Sequence, residues 1–191
     1  VTYYYNLSHG LRGDLPDKLL QRSQSGANGM LIPLNPNVSH LAIWASSEAW
    51  FQMGDMTMAE HSAMLAMLFS QDHRSSRMIK RLAEINMVNN DTVATIKYLN
   101  ILSKTWLYKQ WAQDRMPGRE SASVKAWLER KRDYIAKSDT VRNTSDPRVS
   151  LRTLLEANNE NKLAADYLLC FDLLTKDIEA FVADYDKFKL P

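Results

Sequence analysis

Three alanines spaced at multiples of one interval constrain this chain more than any other feature. Ala59 and Ala94 lie 35 residues apart, and Ala164 follows after twice that distance. Each stands just inside an apolar run that follows a short polar turn: Gly54-Asp55-Met56-Thr57 before Ala59, Asn89-Asn90-Asp91-Thr92 before Ala94, and Asn158-Asn159-Glu160-Asn161 before Ala164. A fourth turn of this kind, Gly13-Asp14-Leu15-Pro16-Asp17, precedes Leu19 and Leu20. Helix, tight turn and helix recurring at this interval mark hairpins stacked in an array, where each unit buries its apolar face only against its neighbours. A small residue at the start of the second helix lets its backbone approach the first. Four and seven residues later come Ala63 and Ala66, then Tyr98 and Ile101, then Leu168 and Phe171, so three side chains share one helical face each time.

No segment alternates with period two for long enough to make a strand, so the expected class is all-α. The expected architecture is stacked antiparallel helical hairpins, with about two clear repeats and irregular flanking helices. We read 1–191 as one helical-repeat domain: an N-terminal hairpin and loop (1–37), the clearest repeats (38–116), a basic helix (119–137) and C-terminal helices (148–191). Ser39, Thr57, Ser75 or Ser76, and Thr92 are the expected starts of the four repeat helices. A further helix is expected over 105–113, before the break at Pro117-Gly118. Residues 23–37 read as a loop tucked in by Met30-Leu31-Ile32, and 138–147 as a polar loop.

The small–aromatic–small offsets resemble the tetratricopeptide repeat, most clearly from His40 to Trp106. The resemblance is partial. Tyr98 alone supplies the middle aromatic, Gln71 and Trp106 stand where repeat-ending prolines are expected, and no turn occurs near Glu129. The resemblance implies that the first helix of each unit lines a groove. Counting back from Ala59 and Ala94, the groove-lining set is Trp44, Glu48, Phe51 and Gln52, then Ile79, Ala83 and Met87. Repeat domains that clamp a terminal carboxylate place Lys, Arg and Asn here. These mostly apolar positions predict instead an apolar groove, or a face covered by another part of the same polypeptide.

Composition narrows the partners. Hydrophobic residues make up 45% and charged residues 24%, ordinary values for a folded chain. A net charge of +2 gives no reason to expect nucleic acid. The basic stretch from Arg115 to Lys137 holds seven cations against three carboxylates, but Trp127 and Tyr134 fall on its apolar stripe and read as core rather than base-stacking groups. Cys170 is the one cysteine and sits in the apolar run Tyr167-Leu168-Leu169-Cys170-Phe171, so it reads as a buried, inert thiol. No apolar stretch approaches the roughly 18 to 20 residues that span a bilayer. The start at Val1 and the absence of a leader pattern suggest a piece of a longer protein.

No residues assemble into a recognisable catalytic, cofactor-binding or metal-binding motif. His9, His40, His61 and His73 are not paired at the spacing that puts two imidazoles on one helix face. The pairs Asp14/Asp17 and Asp184/Asp186 fall at helix ends, where solvated charges are common. Neither a nucleophile elbow nor a phosphate-cradling loop is present.

The phrases Tyr4-Tyr5-Asn6-Leu7, Gly13-Asp14-Leu15-Pro16-Asp17-Lys18-Leu19, Gly29-Met30-Leu31, Ala94-Thr95-Ile96-Lys97-Tyr98-Leu99 and Asn161-Lys162-Leu163-Ala164-Ala165-Asp166-Tyr167 resemble an uncharacterised family. Its members are large multi-pass inner-membrane proteins of Bacteroides-type bacteria with a soluble helical C-terminal part. The resemblance implies the soluble tail of a longer membrane protein, facing the periplasm, with the cytoplasm as alternative; the lack of catalytic motifs makes a non-catalytic scaffold the expected role. The implied partner is a protein or the chain's own membrane domain, with no nucleic acid, no cofactor and no direct membrane insertion. The alternative is an accessory domain of a membrane enzyme handling lipid-linked sugars or glycans, with Trp44, Trp50 and Trp106 as contacts.

Overall fold

Polar side chains fix where the repeat helices begin. In the computed structural model, which describes residues 2–24, 26–32, 39–136 and 146–189, four such caps precede four consecutive helices. The Ser39 hydroxyl accepts from the Ala42 N–H, the Asp55 carboxylate from Met58, the Ser75 hydroxyl from Met78 and the Asp91 carboxylate from Ala94. Each such cap contributes about 0.5–2 kcal/mol by satisfying a donor that has no partner inside the helix. The helices they open are α3 (His40–Met53), α4 (Met56–Leu68), α5 (Ser76–Val88) and α6 (Thr92–Leu102). Asp55, not Thr57, caps α4; its carboxylate also faces the positive end of the helix dipole, which a hydroxyl exploits less.

The remaining helices are α1 (Thr2–Arg12), α2 (Leu15–Lys18), α7 (Lys109–Gln113), α8 (Ala122–Arg132), α9 (Pro147–Ala157), α10 (Lys162–Thr175) and α11 (Ile178–Phe188). Among the described residues there is no strand. Antiparallel pairing joins α3 to α4, α5 to α6, α9 to α10 and α10 to α11, a stack of helical hairpins. The chain divides into two compact units, one of residues 38–135 and one of residues 1–37 with 136–191.

In the 38–135 unit the small residues do what their size allows. Ala59, Ala63 and Ala66 are fully buried along α4, and the Ser47 hydroxyl of α3 donates to the Ala59 carbonyl at 3.0 Å. On α6 the buried positions are Thr95, Leu99 and Leu102, while Ile101 is 40% exposed. The two helices differ in the neighbour that comes next in the chain. α5 packs against α4, whereas beyond α6 the short α7 contributes Ala112, with Tyr108 and Trp111, to one cluster around Ala83, Leu99 and Leu102. The helix expected over 105–113 is shorter: residues 105–108 form a turn, where the Thr105 hydroxyl donates to the Leu102 carbonyl at 2.7 Å and accepts from the Tyr108 N–H at 3.2 Å, and α7 begins only at Lys109.

The other unit is built around α10. Ala164, Tyr167 and Leu168 are fully buried. At Gly10 of α1 an added Cβ would lie 2.6 Å from a Leu163 methyl, so the absent side chain is what permits the approach. The tucked loop is present as far as it is described: Met30 is fully buried, and the buried Asn6 amide donates to the Gly29 carbonyl at 2.9 Å. Ser25 and residues 33–37 of that loop, and residues 138–145 of the polar loop, lie outside the described residues. Helix α9 starts at Pro147, where a missing N–H costs nothing, with Asp146 as cap.

Candidate functional site

Helices α3 and α5 turn a set of charged and aromatic side chains to one cleft of about 180 Å³, lined by Trp44 and Glu48 of α3, Arg77, Met78, Lys80, Arg81 and Glu84 of α5, and Tyr108. The α5 residues fall at 77, 80, 81 and 84, the spacing that sets side chains one above another on a helix. Arg81 lies at the centre, its guanidinium 2.5 Å from Glu48 and 3.1 Å from Glu84. Lys80 also pairs with Glu84. Burial raises the Glu48 carboxyl, but Arg81, the Gln52 amide donating at 2.9 Å, and Arg77 outweigh it, so Glu48 sits below the usual carboxylate value.

Cations lie over rings around this network. The Arg77 guanidinium is 5.1 Å from the Trp44 ring centre, Lys80 is 4.8 Å and Arg115 4.5 Å from that of Trp111, and Arg81 is 4.0 Å from that of Phe51. Each contact contributes about 0.5–2 kcal/mol depending on exposure. Among the described residues Arg77 has no carboxylate within ion-pair distance, so it is the cation of the cleft with charge to spare.

Beyond Gln52 the same face is occupied by the chain itself. Lys131 of α8 donates to the Gln52 side-chain amide oxygen, Oε1, at 2.8 Å, and Trp127 lies 6.2 Å from Phe51, ring centre to ring centre. The Arg132 guanidinium donates to the Met87 and Val88 carbonyls at 2.8 and 3.0 Å, the last acceptors of α5, at the negative end of its dipole. Burial pushes the Lys131 ammonium down to about 8 and Arg81 acts in the same direction, against Glu48 and Glu84. At the end of this segment Tyr134 rests on the α3–α4 turn. Gly54 there has φ of 101°, and a Cβ on it would lie 2.3 Å from the Tyr134 carbonyl oxygen.

The seven residues picked from sequence thus fall in three places. Trp44 and Glu48 line the cleft. Phe51, Gln52 and Met87 lie under or beside α8, with Phe51 only 2% exposed. Ile79 packs on the cluster that contains the fully buried Ala83. Counting back from Ala94 misses Arg77, Lys80, Arg81 and Glu84. Their charged spacing along one helix face was the available signal.

Elsewhere, Cys170 is buried, and burial, then Asp166, push its thiol up to about 12. No group of three or more His, Cys, Asp or Glu side chains among the described residues is placed to hold a metal ion. Asp184 is not a solvated charge at a helix end: it is 3% exposed and accepts two hydrogen bonds from Arg152 Nε and one from Nη2, at 2.9–3.1 Å. Trp50 is 3% exposed, which removes it as a glycan contact, whereas Trp44 is half-buried beneath Arg77.

The fold and cleft define an all-α protein of stacked helical hairpins, with one face partly covered by a helix of its own. The chain belongs to a family of unknown function, DUF6057, whose sequence model matches residues 1–191. No curated protein and no solved structure shows a significant match.

Proposed function

We propose that this chain is a non-catalytic scaffold that holds protein segments on the α3/α5 face, and that it serves as the tail of a membrane protein on the periplasmic side. The observation that carries the scaffold reading is α8. That face already holds one helix, by a half-buried lysine on Gln52, an arginine on the last carbonyls of α5 and an indole beside Phe51. The open remainder offers the same kinds of group, with Arg77 in excess of the local carboxylates, since Lys80 and Arg81 already pair with Glu84 and Glu48. It therefore suits a segment bearing an acidic side chain. The membrane attachment rests on the resemblance of the opening and α6 phrases to tails of multi-pass proteins. A glycan-handling role keeps Trp106, which is exposed, but loses Trp50 to burial, and the Trp44 face carries a guanidinium.

The tagged chain, used as bait on detergent-solubilised membranes of its native cells, tests this reading, with Arg77→Glu as the comparison bait. Arg77 is exposed, so the variant keeps the fold. A protein retained by the chain and lost from the variant is expected; equal recovery on both baits, or recovery of none, contradicts the proposal.

A further inference from the structure

Trp106 is 98% exposed and Leu107 is 69% exposed, on the turn that joins α6 to α7. An indole usually hides most of its surface, so a bare one held in a fixed place needs a reason. This one is held. The Lys104 and Thr105 N–H groups donate to the Ile101 and Leu102 carbonyls at 3.2 and 2.9 Å, and Tyr108 packs on the cluster beneath. Along α6, Val93 is also 82% exposed and Ile96 39%. The charge carried by this stretch of chain has one sign, while Glu60 and Asp91 act on Tyr98 of α6 from outside it. Residues 92–113 contain Lys97, Lys104 and Lys109 and no carboxylate. The acids at either end are engaged, Asp91 by the Ala94 N–H at 2.9 Å and Asp114 by the Gln110 amide at 2.7 Å.

We propose that this tip docks on the surface of an anionic phospholipid bilayer. Trp106 and Leu107 enter the boundary between headgroups and acyl chains, where an indole suits both sides. Lys104 and Lys109, with Lys97 behind them, meet the lipid phosphates. Three lysines on a stretch that carries no carboxylate of its own match a sheet of phosphates better than a neutral protein groove. No helix among the described residues is long and apolar enough to cross a membrane, so the contact is peripheral, made by buried apolar area plus charge.

Flotation of the 191-residue chain with vesicles tests the proposal, using phosphatidylcholine alone and phosphatidylcholine mixed equally with phosphatidylglycerol. The chain is expected to float with the mixed vesicles only, and added salt is expected to release it. Trp106→Ser with Leu107→Ser should weaken partitioning by about tenfold or more, and Lys104→Gln with Lys109→Gln should abolish the preference for anionic lipid. Both pairs are exposed, and an unchanged circular dichroism melt confirms that they fold. Arg77→Glu should float like the parent chain, which separates this surface from the cleft. Three results overturn the proposal: no flotation, flotation undiminished by the Trp106/Leu107 pair, or a dimer in sedimentation that this pair abolishes while vesicles bind neither form.

Discussion

Glu48 in the hairpin stack and Asp172 in the unit made by the chain ends are both carboxylates beside arginine, yet their acidities move in opposite directions. At Glu48, Arg81 stands at 2.5 Å, the Gln52 amide donates and Arg77 adds its field, so attraction outweighs burial. At Asp172 the nearest guanidinium, Arg148, is 3.6 Å away, and among the described residues neither carboxylate oxygen accepts a hydrogen bond. Burial leads there, with the like charge of Asp184 behind it, and the carboxyl is pushed up to about 6. An ångström of separation and one or two hydrogen bonds decide the sign. The hairpin stack keeps its charges in a cleft with partners in contact; the other unit places a charge where partners only approach.

The two glycine turns probe the largest difference. Gly54→Ala should destabilise the 38–135 unit by roughly 2–4 kcal/mol, because the new Cβ meets the Tyr134 backbone and the residue keeps a left-handed conformation. Gly26→Ala in the other unit, with φ of 69° and nothing within 4 Å, should cost about 1 kcal/mol, the left-handed penalty alone. Thermal melts of the two variants check the ranking, and equal losses would remove the claim that the Tyr134 segment is seated on Gly54.

Exchanging each carboxylate for its amide comes next. Glu48→Gln should cost about 1–3 kcal/mol near neutral pH, since it leaves Arg81 short of a partner. Asp172→Asn should instead add about 1–2 kcal/mol near pH 7, because it removes a buried charge at almost constant shape. Urea titrations at two pH values test the sign. The Asp172 carboxyl binds its proton more tightly when folded, so its stability contribution is complete below about 4 and is lost as pH rises through about 6. The Asp172→Asn gain should therefore disappear in acid.

Lys131 gives the hairpin stack the opposite slope. Its folded value of about 8 lies below the ordinary 10.5, so the protonated form is penalised in the native state. Stability should rise from about pH 8 toward 10, until Tyr98, whose phenol is shifted up by burial, begins to act the other way. An NMR titration of the Lys131 side chain should show a midpoint near 8, and a midpoint near 10 would mean that α8 does not bury it. The smallest effect expected is at a cap: Asp91→Ala should cost about 1 kcal/mol and leave the cleft unchanged.

The legible part of the sequence was local. The caps Ser39 and Ser75, the fully buried run Ala59, Ala63 and Ala66, and the pairing of neighbouring helices come from propensity and spacing within a few turns. The illegible part depends on segments far apart in the chain. Nothing near Gly54 announces that Tyr134 will rest on it, and nothing near Gln52 announces Lys131. The rotation of α5 has the same origin. Its apolar residues Ile79 and Ala83 face the α6/α7 cluster, which leaves Arg77, Lys80, Arg81 and Glu84 for the cleft. The solvated reading of Asp184 failed for a similar reason, since its arginine partner lies 32 residues upstream on another helix.

The claim that the α3/α5 face receives protein segments, one of them its own, is tested most directly by photo-cross-linking the full chain in its native cells. A benzophenone side chain placed at Gln52 is expected to form an intramolecular link to α8, and one placed at Arg77 a link to a second protein. No link to α8 from Gln52, or only lipid and no protein adduct from Arg77, would contradict the account.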